Sequence, residues 1–183
     1  HHVNYKAPEY SRLSNYFERV VGFSATPWSD GCAEFFANQI FTYGLSESVS
    51  NGTNAKFELM EWSNPNAGLY QLIFASGGDE ARNLCRTLPQ SAYAIYSLKD
   101  ARQQIERFRR GIVGTMFVNR MLMEGFDLPQ IKSIWIARNT SSPIAAMQML
   151  GRALRPWKNL TARIYVRTEL TYKAIARAIS LAE

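Results

Sequence analysis

The sequence predicts an α/β fold, a parallel sheet with helices on both faces, preceded by a partial N-terminal α/β segment. Three observations lead there. From residue 69 onward, apolar runs of strand length alternate with segments of helical period, the pattern of a parallel sheet built from crossover units. Several of the runs end in small or polar residues, as in Ala75-Ser76-Gly77-Gly78, where open parallel sheets bind ligands. The helices also carry start and stop signals, such as Ser142-Pro143 before one and Pro156 after it.

At the N-terminus, Asn4 to Glu18 reads as a helix with Tyr10, Leu13 and Phe17 at helical spacing. Arg19 to Phe23 reads as a short buried strand ending in Ser24-Ala25-Thr26-Pro27, and Cys32 to Gln39 as a short helix. Residues 44–66 are rich in serine and asparagine and read as a linker with one strand, Ala55 to Trp62, inside it. Beyond them come a strand at Leu69–Ala75, a helix at Asp79–Leu88 with acidic residues in its first turn, and a strand at Ala92–Tyr96. Asp100–Arg110 is a helix with Ile105 and Phe108 inward and Gly111 as its C-terminal stop. Gly114–Val118 and Ile131–Ala137 are strands, Pro143–Arg155 a helix, Ala162–Arg167 a strand and Thr171–Ala182 the last helix. The aromatics, Tyr16 and Trp135 among them, read mostly as core, with Trp157 as the best candidate for an exposed ring.

Composition narrows the function classes. The chain is 46% hydrophobic and 20% charged, an ordinary globular balance. No apolar run approaches the roughly 18 residues that span a bilayer, and no signal-peptide pattern opens the sequence. Cys32 and Cys85 lie far apart without metal-ligand spacing, and the only histidines are His1 and His2, so neither a histidine triad nor a zinc site is expected. The net charge of +6 is uneven: residues 1–66 hold four Lys/Arg against seven Asp/Glu, residues 67–183 seventeen against eight. A basic second part suits a polyanion. The basic cluster Arg107, Arg109 and Arg110 is explained by its place at a helix end. Arg138-Asn139-Thr140 either lines a cleft or caps a loop.

On the helix opened by Pro143, Gln148, Arg152 and Arg155 point within about 60° of one another at 100° per residue. Ala146, Met149, Leu150 and Ala153 take the opposite face, and Gly151 lets another surface approach closely. Two converging guanidiniums suit a multiply charged oxyanion such as a triphosphate. At this spacing alone a solvated basic face is the stronger reading.

The neighbouring segments add a resemblance. Gln148-Met149-Leu150-Gly151-Arg152-Ala153-Leu154-Arg155 resembles motif VI of superfamily 2 helicases and translocases, Q-x-x-G-R-x-x-R. Val118 to Pro129, Ile73-Phe74-Ala75 and Gly22 to Pro27 resemble motifs V, IV and III in the right order. His1-His2 resembles the tail of a DExHH-type motif II, a purification-tag remnant being the alternative. The DNA-directed members, restriction-enzyme motor subunits and repair or phage helicases, are the most similar in character. The resemblance implies a RecA-like second domain at 67–183, the tail of the first RecA-like domain at 1–43 and a linker at 44–66. It implies Arg152 and Arg155 as arginine fingers on the γ-phosphate of ATP, Gln148 as a positioning group, and Gly125, Asp127 and Glu124 near the nucleotide. It further implies that Ser76, Gly77, Asn119 and Arg120 contact nucleic-acid phosphates and that Ser24 and Thr26 couple the two sites. No G-x-x-x-x-G-K-[ST] run occurs in the sequence, and Asp79-Glu80 reads as a helix first turn. The grip on Mg2+ and the β-phosphate is therefore expected from an upstream RecA-like domain, with no metal held here, and this chain alone is expected not to hydrolyse ATP. The implied partner is nucleic acid, DNA before RNA, in the cytoplasm or nucleus and with no membrane. The alternatives are a non-catalytic RecA-like binding domain and an RNA-directed helicase.

Overall fold

A computed structural model describes residues 12–22, 43–66, 68–88, 92–94, 98–118 and 127–183. In chain order the elements are α1 (Leu13–Tyr16), α2 (Leu45–Ser50), β1 (Phe57–Glu61), β2 (Gln71–Phe74), α3 (Gly78–Arg86), β3 (Ala92–Ala94), α4 (Leu98–Arg109), β4 (Thr115–Val118), β5 (Ser133–Ile136), α5 (Pro143–Ala153), β6 (Ala162–Val166) and α6 (Glu169–Leu181). The strands form one sheet in the order β1-β6-β5-β2-β4-β3, and every pair is parallel. The predicted fold class stands.

Alternation along the strands sorts the core into two layers. Leu72, Phe74, Met116, Val118, Ile134, Ile136, Ile164 and Val166 face one side, where α2, α4, α5 and α6 supply Leu45, Ile105, Phe108, Met149, Leu150 and Ile175. Ile73, Ala75, Phe117 and Trp135 face the other, against Ala81, Leu84 and Cys85 of α3. The strands β2 and β4 are buried along their whole length, as strands covered on both faces are.

Among its described residues the connection from β1 to β2 carries no helix. It leaves β1 at Trp62, and its Ser63 carbonyl accepts a 3.2 Å hydrogen bond from Trp135 Nε1. It reaches β2 at Gly68, whose carbonyl takes the Thr115 hydroxyl at 3.2 Å. The backbones there are so close that a Cβ on Gly114 would stand 2.4 Å from the Gly68 carbonyl oxygen. Trp135 lies under this crossover, 3% exposed and stacked on Tyr165 at 4.4 Å.

Three expectations change. Residues 44–66 are no free linker: β1 pairs with β6 along five registered positions, Leu45 is buried in the larger core, and the Leu45 N–H donates to the Ala182 carbonyl at 2.8 Å. The segment's polar composition disguised a short helix packed on the last one, and its predicted strand takes an edge of the sheet. Arg19–Gly22 is not a buried strand. Val21 is 62% exposed, and among the described residues no strand pairs with it. Tyr16 is 77% exposed rather than core. The rest of the predicted N-terminal helix, the Cys32–Gln39 helix, and Ser24 and Thr26 lie outside the described residues.

Candidate functional site

Helix α5 carries the residues singled out from the sequence. It starts with Ser142 as N-cap, whose hydroxyl accepts from the Ala145 N–H at 3.2 Å, and with Pro143 in its first turn. Ala146, Met149, Leu150 and Ala153 are at most 1% exposed. Fully burying a side chain such as Leu150 contributes roughly 1.5–3 kcal/mol, so this face fixes the helix's rotation on the sheet. Gln148, Gly151 and Arg152 are half-buried on the other side. A Cβ on Gly151 would meet nothing within 4 Å among the described residues. The helix ends at Ala153, two residues before the predicted end, so Arg155 stands just past it.

The end of α5 is tied to the edge where strands begin. The Leu154 carbonyl accepts a 2.6 Å hydrogen bond from the N–H of Ala55, two residues ahead of β1. Here Arg155 Nη1 is hydrogen-bonded and ion-paired to Asp127 Oδ1. The Asp127 carbonyl accepts in turn from Arg109 Nη2 at 3.0 Å. Asp127 is anchored by Leu128 and Ile131, 3% and 4% exposed, and leads into the start of β5. It therefore sits at the strand-start edge, opposite to where its place after β4 suggested. Glu124 and Gly125, with Asn119 and Arg120, lie outside the described residues.

Ser76 and Gly77 sit at the other edge, where strands end. The neighbouring strands β2 and β5 part company here: α3 leaves β2 over one face and α5 leaves β5 over the other. Such a switch point opens a crevice between the two departing loops. One wall is Ser76-Gly77. The other is Arg138 to Thr140, held by Thr171, whose hydroxyl donates to the Arg138 carbonyl at 3.0 Å and accepts from the Thr140 N–H at 3.1 Å. The Ser76 N–H donates to Glu80 Oε2 at 2.6 Å, and Glu80 Oε1 pairs with Arg167 Nη1. Arg167 also lies 5.7 Å from the centre of the Trp62 ring. Burial raises the Glu80 pKa, but the Ser76 N–H and the Arg167 guanidinium outweigh it and hold the carboxyl below its ordinary value of 4.5. The amide expected to meet a phosphate is thus engaged by a carboxylate of the same helix.

The structure brings together Arg155 and Asp127 at one edge and Ser76 and Gly77 at the other. Sequence reasoning missed Arg109 and Arg167 as partners, because their contacts join residues 18 and 87 positions apart and leave no local signal; Glu80, only four residues from Ser76, was read as part of a helix's first turn. Trp157, expected to be exposed, is half-buried, with Lys158 Nζ 5.2 Å from its ring centre. Arg155 carries the charge and the planar donors that a phosphate group takes, with Asp127 as a partner in this structure. Among the described residues no cluster of three or more His, Cys, Asp or Glu could hold a metal ion, and no helix is long and apolar enough to cross a membrane.

No protein-family profile matches the sequence, and no curated protein sequence matches it. Solved structures do. A fragment described as the HsdR subunit of a type I restriction enzyme from Vibrio vulnificus YJ016 superimposes with a TM-score of 0.72 at 15% identity, covering 96% of this chain and 44% of that one. The C-terminal domain of the DEAD-box protein Dbp5 gives 0.54 at 14% identity, over 69% of this chain and 84% of that one. The helicase Lhr of Mycobacterium smegmatis, in a structure with ssDNA and AMP-PNP, gives 0.55 at 14% identity, over 69% and 22%. The chain thus spans less than half of the restriction-enzyme fragment and about a fifth of Lhr. At these identities the likeness is one of fold: the chain shares the α/β, RecA-like arrangement of these structures.

Proposed function

We propose that this chain is the C-terminal motor portion of an ATP-dependent helicase or translocase acting on nucleic acid, DNA in preference to RNA. The observation that carries the proposal is the Arg155–Asp127 pair, which joins the Q-x-x-G-R-x-x-R helix to the Gly125-Phe126-Asp127 loop across 28 residues. A guanidinium already seated against a carboxylate oxygen at the end of a core-anchored helix is suited to a phosphoryl oxygen. Arg152 and Gln148 share its side of α5. Gly77 and the neighbouring crevice offer backbone donors for a phosphate chain at the other edge.

In this reading ATP supplies a γ-phosphoryl group whose charge must be stabilised as it leaves, and Mg2+ with the β-phosphate grip comes from a preceding RecA-like domain. Arg152 and Arg155 stabilise that charge, Gln148 orients the group, and Glu124, Gly125 and Asp127 line the nucleotide's side of the cleft. Asn119 and Arg120 join Ser76 and Gly77 on the nucleic-acid phosphates, and Ser24 and Thr26 couple the sites. We place the boundary of this domain near Tyr43 rather than at residue 66, because α2 and β1 are integral to its core and sheet. Support for DNA comes from the restriction-enzyme fragment, matched over 96% of this chain, and from Lhr, whose structure holds ssDNA. A competition assay at fixed salt separates DNA from RNA.

The test is nucleic-acid-stimulated ATP turnover in the full protein, with Arg152→Ala and Arg155→Ala made separately. Each substitution is expected to lower kcat by about 10³-fold, the size of effect a missing arginine finger produces, with unchanged melting temperature. Unaltered turnover in both variants removes the arginine-finger assignment. Retained strand binding without any ATPase in the unsubstituted protein favours the non-catalytic binding domain instead.

A further inference from the structure

The geometry points to Arg109 as a positioning residue for Arg155, acting through Asp127; this rests on the proposed role of Arg155 and deepens it. Arg109 is the last residue of α4, and its own helix is fixed firmly. Ile105 and Phe108, 3% and 0% exposed, sink that turn into the larger core. Gly111, at φ +71°, closes the helix in the left-handed conformation that glycine adopts freely. The N–H groups of Gly111 and Ile112 return to the Phe108 and Arg107 carbonyls, both at 2.9 Å. Glu106 adds an ion pair to Arg109 at 3.8 Å.

From this support Arg109 Nη2 reaches the Asp127 backbone carbonyl at 3.0 Å. That contact fixes the main chain of Asp127, and hence the direction in which its carboxylate leaves. The carboxylate holds the Arg155 guanidinium. Arg155 needs such a hold, because it lies beyond the last helical residue of α5 and ahead of Pro156, outside the regular ladder of the helix. The Arg109–Asp127–Arg155 chain therefore joins the rigid end of α4 to the guanidinium fork of Arg155. A misdirected catalytic group loses rate steeply even when it is retained, since the geometry of attack is what the site supplies. Helix-end position explains why an arginine is tolerated at 109. It does not explain a guanidinium aimed at a carbonyl 18 residues further on.

The test uses the full protein, with kcat and KM for ATP measured for Arg109→Ala, Arg109→Lys and Arg155→Ala, and for the Arg109→Ala/Arg155→Ala double variant. Arg109→Ala is expected to lower kcat about tenfold with KM changed less than twofold, and Arg109→Lys to recover part of the loss by restoring one donor. In the double variant the Arg109 substitution should add nothing to the loss from Arg155→Ala, because its effect runs through that side chain. Arg109→Gln shortens the side chain and removes its charge; it is expected to lose kcat too, and serves if Arg109→Ala fails to fold. A full kcat in the Arg109 variant beside an impaired Arg155→Ala overturns the positioning role and leaves the arginine finger standing. Additive losses overturn it as well. If Arg155→Ala itself retains full turnover, the proposed function falls and this inference with it.

Discussion

At the edge where strands begin, the charged groups hang on helix ends seated in the core; at the edge where strands end, they are gathered by one another. Arg155 and Arg109 come directly after buried residues, Leu154 in one case and Phe108 in the other. Their meeting point, Asp127, has a side chain 76% exposed. Glu80 is the reverse: its side chain is only 26% exposed, and it gathers the Ser76 N–H and Arg167 around itself. In the first, two arginines on rigid supports converge on one exposed residue. In the second, a half-buried carboxylate draws in both the Ser76 N–H and Arg167. Helix α5 spans the two edges, about 16 Å at 1.5 Å per residue.

The strongest way to break the rigid edge lies beneath it. Gly114→Ala places a Cβ 2.4 Å from the Gly68 carbonyl oxygen, a backbone atom that cannot swing aside. The Thr115 hydroxyl, 0% exposed with its residue, depends on that same carbonyl. Overpacking of this kind costs about 3 kcal/mol. Denaturant titration should show the midpoint falling with the slope unchanged. A midpoint within error of the unsubstituted protein means that the two backbones can part without disturbing the sheet.

The distinction between the edges is only partly legible in the sequence. Helix α5 is, because Ser142-Pro143 starts it, Pro156 bars its continuation, and its apolar residues keep a helical period. So are β2, β4 and β5, whose runs of consecutive apolar residues mark strands covered on both faces. The strand β1 is legible, but its place is not. Its half-buried pattern is that of an edge, and nothing in Phe57–Glu61 announces a partner at Ala162–Val166. The Val20-Val21 pair misleads because β-branched residues favour a strand only when a ladder is there to receive them. Sequence order alone puts Asp127 at the edge where β4 ends, because the number of residues after a strand does not tell which edge the chain has reached. The partners Arg109 and Arg167 are invisible for a simpler reason: an arginine's reach is set in space, and only the folded chain brings its acceptor near.

A milder substitution separates what the domain needs from what its surroundings need. Gly151 has a helical backbone and open space where a Cβ would go. Gly151→Ala should therefore raise stability by about 1 kcal/mol, the helix-propensity difference between the two residues. If a preceding domain closes against α5 as proposed, the same methyl group lowers ATP turnover. Measuring both on one variant decides the matter: a more stable protein with unchanged turnover means that no surface comes within a methyl group of this helix.

The smallest expected effects test the self-satisfied edge. Glu80 has its pKa held down in the folded protein, so the carboxylate contributes stability that is complete above its ordinary value of 4.5 and is lost as pH falls through the lowered folded value. With Arg167 46% exposed, solvent screens much of that pair, and Glu80→Gln should cost only about 0.5 kcal/mol at neutral pH. It should also flatten the stability profile in acid. The same change removes a negative charge from beside Ser76 and releases the Arg167 guanidinium. Single-stranded nucleic acid should consequently bind about twofold to threefold more tightly, with a steeper dependence on salt, as one more phosphate is neutralised. Weaker binding in Glu80→Gln would mean that the carboxylate holds the Ser76 loop in its binding shape rather than standing in for a phosphate, and the contrast between the two edges would then be one of degree.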